Sequence, residues 1–485
     1  MKKMRLLIIA AAAVLLLALA YVLVTREPKV PEPDKLPETE AVAEDEAAPE
    51  VVEEEVAPIY QLISLIDLDI NNLETIEVNR IGGDHYTLLP FGEGTFKVAD
   101  TPGVSLMTSA AQSIRFSLIL FTSNTIVSEG ENIADFGFDA PKASCTITAG
   151  EERVVLLLGN KNPDGTASYI MRDGDPNVYL VQGYLTDMLF ADLYSIREKT
   201  LPLVNVPALT GVSVEKNGEP VYTIARYSSD DPFDPGLFPF FFTYPYDPPK
   251  GVNDSKLFEI LEIFQSGLFI YEFIDVPESL SEYGLDAVQA LELKMTAEDG
   301  TGLHLLLGNI TEDGMRYVLR AGTDSPVMLI SASDTALADI IPFKYAESFA
   351  ALVSIDAIRG YEVIIGDMKI EGSIERTGDE EDPVEEFFIN NQKVEEDLFK
   401  DFYQILIGRQ VEGDAESDLV VQTLDNAPMF QLRYFDRNDE LLVKEIEFYP
   451  YNDDFYVLQI DGGSRRFLIG QYQVDYIVEQ ADALL

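Results

Sequence analysis

This chain has one cysteine, two histidines and no tryptophan in 485 residues. A single Cys145 rules out any disulfide within the chain, so every folded core must hold without covalent staples. Cys145 sits in the alternating run Ala143–Thr148 on the same face as Ile147, which reads as a small buried hydrophobe. With only His85 and His304 available, a histidine-dependent triad or a zinc site is hard to assemble. Positive charge is scarce too. Against 85 Asp and Glu stand 34 Lys and Arg, a net charge of -51. Such a chain is repelled by phosphate backbones, so nucleic acid is not an expected partner.

What is present is 47% hydrophobic residues, enough for substantial cores over roughly three domains of ~150 residues. Lys2, Lys3 and Arg5 precede an uncharged run from Leu6 to Val24. As a helix that run spans roughly 28 Å, close to the hydrocarbon thickness of a bilayer. Residues 1–26 are therefore expected to be a transmembrane anchor, with a cytoplasmic N-terminus and the bulk of the chain extracytoplasmic. Ala18-Leu19-Ala20 also fits a signal-peptide cleavage pattern, but the apolar residues continue through Val24, favouring an uncleaved anchor. Residues 27–58 are acidic, proline-rich and free of aromatics. That composition predicts a disordered spacer.

Folded units are expected over 59–201, 202–350 and 351–485. In the first, strands are predicted at Leu73–Ile81, His85–Leu89 and Thr95–Ala99, then a helix from Val104 to Phe121. Further strands, Ser144–Ala149, Arg153–Gly159, Ser168–Arg172 and Asn177–Val181, lead to a helix at Tyr184–Tyr194. The second unit repeats that order and closes with a helix at Asp334–Ile341. The third is more worn. Hairpin-linked strands broken by isolated helices predict an α+β fold: tandem units of antiparallel sheet with one or two helices each.

One echo ties the first two units together. Phe136-Gly137-Phe138-Asp139-Ala140-Pro141 and Leu158-Gly159 return as Tyr283-Gly284-Leu285-Asp286 and Leu307-Gly308, at offsets of 147 and 149 residues. Tyr169 and Tyr317 follow at corresponding places. Together with the N-terminal anchor, these elements resemble the bacterial family known as domain of unknown function 4340. The resemblance implies a membrane-anchored extracytoplasmic protein. Genes of that family tend to accompany those of ABC-type transporters, some resembling the gliding-motility-associated system, which implies transporter components as partners.

No catalytic, cofactor or metal residues are predicted. Asn160–Gly165 starts like a calcium loop but has Met171 where the bidentate Glu belongs, so a hairpin turn is expected. His304 reads as a strand residue and the acidic run Asp379–Asp382 as a solvated loop. The densest aromatic stretch, Asp230–Pro249, is read as core or inter-unit packing, with a partner-contact loop of Phe233, Phe238, Phe240, Tyr244 and Tyr246 as the other reading. The function expected is a non-enzymatic binding or scaffold protein, and the alternative is an envelope hydrolase working through carboxylates.

Overall fold

A computed structural model describes residues 62–484, apart from 93, 102, 228–237, 351, 380–381, 416–426, 439–440 and 464–465. The expected anchor, the acidic spacer and Phe233 lie outside the described residues. Among the described residues no helix is long and apolar enough to cross a membrane.

Among the described residues three large antiparallel sheets follow one another along the chain, with one small two-stranded pair. The second large sheet shows the plan. Leu209–Lys216, Glu219–Arg226, Phe240–Tyr244 and Lys250–Gly251 run outward as a meander. The helix Asp254–Ser266 then packs behind, and the chain crosses to Ile270–Ile274 at the opposite edge. It returns through Leu291–Ala297, Gly302–Ile310, Met315–Arg320 and Val327–Ser331, the first pairing with Leu209–Lys216. The first and third sheets share this order, so the worn third unit keeps the topology that its sequence blurs.

Alternation explains which face is buried. Leu303, Leu305 and Leu307 point to the core while His304 faces out. The helices cover that inner face through Ala110, Ile114 and Leu118 in the first unit and Leu257, Leu261 and Phe264 in the second. Phe399, Phe402, Tyr403 and Leu406 do the same in the third. The first unit has its own core cluster, whereas the second and third share one continuous core.

Several expected elements differ. The first helix begins at Thr108, because Ser105 and Leu106 are taken up by bridges to Lys97 and Arg197. The closing helix expected at Asp334–Ile341 is a 3-10 helix and lies two residues earlier, at Ala332–Asp339. The edge strands Ile126–Ser128, Ile270–Ile274 and Gly413–Asp414 were not expected, nor was the terminal helix Gln471–Asp482. Short edge strands bury little of either face, so they leave no period-two pattern.

Each unit is entered through a strap. Leu65 donates its N–H to Phe121 O at 3.0 Å, Leu201 to Leu268 O at 3.0 Å and Ala350 to Arg409 O at 2.7 Å. Just before two of these straps the chain is still bonded to the preceding unit. Glu198 N–H donates to Ser105 O at 2.8 Å, and Glu347 N–H to Gly251 O at 2.8 Å.

Candidate functional site

The recurring echo proves to be a packing clamp. Ile133–Phe136 and Leu280–Tyr283 are single 3-10 turns, each ended by a glycine in the left-handed region, Gly137 at φ 88° and Gly284 at φ 69°. The facing strands bulge between Leu158 and Lys161 and between Leu307 and Ile310. At each bulge an asparagine and a glycine meet the turn. A Cβ on Gly284 would sit 2.5 Å from Asn309 Oδ1, and one on Gly308 would collide with the Tyr283 carbonyl oxygen. Gly159 stands in the same relation to the Phe136 carbonyl. The turn's aromatic ring then rests on the next strand's tyrosine, Phe136 on Tyr169 at 4.8 Å and Tyr283 on Tyr317 at 4.9 Å. Gly308→Ala is expected to destabilise the protein by about 2–3 kcal/mol, as overpacking of a tight contact does. A denaturant midpoint equal to that of the parent protein would remove this account of the motif.

Other candidates resolve locally. In the calcium-like turn, Asn162 Oδ1 accepts the Ala167 N–H at 3.0 Å. Asp164 Oδ1 accepts from Thr166 N and Oγ1 at 3.1 and 2.7 Å, which holds the Asp164 carboxyl below its ordinary range. Those oxygens are committed to closing a hairpin. Among the described residues no group of three His, Cys, Asp or Glu side chains is placed to hold a metal ion. Cys145 is fully buried, and burial pushes its thiol up, away from the thiolate a nucleophile needs. His304 Nε2 lies 2.6 Å from Glu292 Oε1. Beside the acidic run, Glu385 pairs with Arg376 at 2.7 Å and Glu386 with Lys393 at 2.6 Å.

The aromatic stretch divides. Phe240 and Tyr246 are buried at 0% and 2% exposure, so their rings pack inward and offer a partner nothing in this conformation. Phe240 meets Phe258 edge-on at 6.1 Å, and Tyr246 stacks on Phe467 of the third unit at 5.6 Å. Phe238 is half-buried against Gly251 and Phe241. Tyr244 is exposed.

Tyr246 belongs to a seam, and both seams are built around a buried cation. Within the second unit, Lys250 Nζ lies 2.6 Å from Glu347 Oε1 and 2.8 Å from Phe349 O, and at the seam it faces the third unit's Phe467 ring 5.2 Å away. Burial pulls the Lys250 amine below its ordinary value, partly offset by Glu347. Between the first and second units, Arg197 forks onto Asp275 at 2.7 and 3.0 Å and stacks over Phe273 at 3.6 Å. A small cavity of about 50 Å³ lies at this seam, lined by Arg197, Phe273, Ser325 and Arg320 among others.

Residues 96–288 match the model of a family described as "Domain of unknown function (DUF4340)". These residues belong to that family. No curated protein and no solved structure matches the chain. The DUF4340 segment runs from the first unit's third strand through the second copy of the glycine-capped turn. It ends before Leu307-Gly308 and Tyr317, so the bulge of the second clamp lies beyond the matched residues.

Just past the DUF4340 segment, a pocket of about 390 Å³ opens where Met315–Arg320 ends, lined by Lys294, Thr296, His304, Arg320 and Thr323 among others. Lys294 is paired with Glu292 at 2.8 Å, and this bond with that of His304 holds the Glu292 carboxyl below its ordinary range. Sequence reasoning named none of Arg197, Lys250 or Arg320. For Arg320 a signal existed: Tyr169-Ile170-Met171-Arg172 and Tyr317-Val318-Leu319-Arg320 repeat a Tyr-x-x-Arg spacing.

Proposed function

We propose that this protein is a non-enzymatic, membrane-anchored extracytoplasmic binding or scaffold protein, accessory to an ABC-type transporter or to the cell envelope. The observation that carries the scaffold reading is the seam construction. The fork of Arg197 on Asp275 binds the first unit to the second, and the buried Lys250–Glu347 pair of the second unit sets its ammonium against the third unit's Phe467 ring. Charge spent in this way fixes the spacing of surfaces and performs no reaction. The anchoring reading rests on the uncharged Leu6–Val24 run behind Lys2, Lys3 and Arg5. The DUF4340 resemblance supplies the transporter as the partner class.

Affinity purification of the full-length protein from detergent-solubilised membranes tests both parts. Retention of the protein in carbonate-washed membranes and co-purification of transporter subunits are expected. Release by carbonate would remove the anchor, and recovery of no transporter or envelope component would remove the scaffold role.

A further inference from the structure

The three sheets give one position an arginine twice and an isoleucine once. In the first unit Arg172 pairs in register with Leu156, in the second Arg320 with Leu305, and in the third Ile460 with Ile446. Next to each, the following residue donates its N–H to the residue before that partner: Asp173 to Val155 O, Ala321 to His304 O and Asp461 to Glu445 O. The positions are therefore equivalent in backbone as well as in order. Arg172 is met by a carboxylate, Asp67 Oδ1, at 2.8 Å from Nη2. Asp67 lies on the entry strap, two residues after Leu65. The second strap carries Leu203 at that step, 54% exposed, after Leu201. Arg320 has no ion-pair or side-chain hydrogen-bond partner for its guanidinium among the described residues. It is half-buried and lines both the open pocket and the seam cavity.

We propose that the open pocket beside Arg320 binds a carboxylate-bearing ligand, with the Arg320 guanidinium taking the place in the second unit that Arg172 fills against Asp67. A planar fork of donors matches a carboxylate bidentately, and a half-buried guanidinium binds it more strongly than a solvated one. Lys294, His304, Thr296 and Thr323 line the same pocket, but Lys294 and His304 are paired with Glu292 and the Thr323 hydroxyl donates to Arg320 O, so the Arg320 guanidinium is the donor group that the pocket offers. Elsewhere the chain's charge repels anions, so this is a local site in an opposing field. The inference goes beyond the scaffold reading and depends on neither anchoring nor a transporter.

Calorimetric titration of the full-length chain with succinate, with hexaglutamate and with inorganic phosphate tests it. Succinate binding identifies a small free carboxylate as sufficient; binding of hexaglutamate alone identifies an acidic peptide. Arg320→Gln should weaken either by at least about tenfold while leaving the melting temperature unchanged. Leu203→Asp, which restores the first unit's strap carboxylate, should weaken binding similarly without lowering the melting temperature. The proposal is overturned by binding of neither carboxylate probe, by binding of phosphate alone, or by undiminished affinity in Leu203→Asp.

Discussion

Glu347→Gln should cost about 3–5 kcal/mol at neutral pH, because it leaves the Lys250 ammonium buried without its counter-charge. The Lys250 and Glu347 side chains are only 7% and 11% exposed, so water cannot replace the lost carboxylate. The pH dependence carries a sign. Burial holds Lys250 below its ordinary value of 10.5, and removing Glu347 removes the main effect opposing that fall. Between the folded and unfolded values the unfolded chain binds a proton that the folded chain releases. Stability must then rise with pH across that window, and the deficit of the variant should narrow as pH is raised toward 10.5. Denaturant melts at neutral and alkaline pH measure it. A deficit that stays constant or widens would show that Lys250 is not the group responsible. Replacing both partners by apolar residues of similar volume should cost much less than Glu347→Gln alone.

Phe240→Ala should cost a comparable amount, about 3–5 kcal/mol, because the ring is wholly buried and the space cannot collapse around it. The ring is held between Phe258 and the Arg226 guanidinium, 5.1 Å from its centroid, so its loss also removes those contacts. Tyr244, only four residues away in the same strand, is 43% exposed. Tyr244→Ala should fall within about 0.5 kcal/mol. The contrast is the measurement. Residues four apart share a face in a regular strand, so equal effects would mean that the buried face runs on to Tyr244 in spite of the register shift opposite Thr223 and Ile224. In partner pull-down the order should invert if this stretch has a contact role: Tyr244→Ala weakens capture, while a folded Phe240 variant does not.

The glycines of the echo were visible in the sequence because a steric requirement keeps them at fixed spacing, and their offset marked the duplication. Among the described residues the third unit shows no such bulge: Tyr449-Pro450 stands where the others have Leu-Gly-Asn, and its strand pairs in unbroken register. Its core pattern alone had to reveal it, through Ile446 and Phe448. The seams left no such trace. Lys250 and Glu347 are 97 residues apart and Arg197 and Asp275 are 78, so nothing near either residue in sequence announces its partner. Arg320 was hidden for a different reason: its interest lies in lacking a neighbour that its equivalent has, and that comparison needs the strand register.

The entry straps have a mechanical consequence. Glu347 is bonded backward to Gly251 and Ala350 forward to Arg409, so only two residues of chain, Ser348 and Phe349, lie between the two attachments. A joint requires residues whose backbone angles can change at no cost in hydrogen bonds, and this crossing leaves almost none. Force applied to one unit is therefore handed to the next through backbone bonds, with no slack to absorb it. Two contacts made on different units would keep a fixed separation, and a partner that spans them would meet its second site at an effective concentration set by the protein's stiffness.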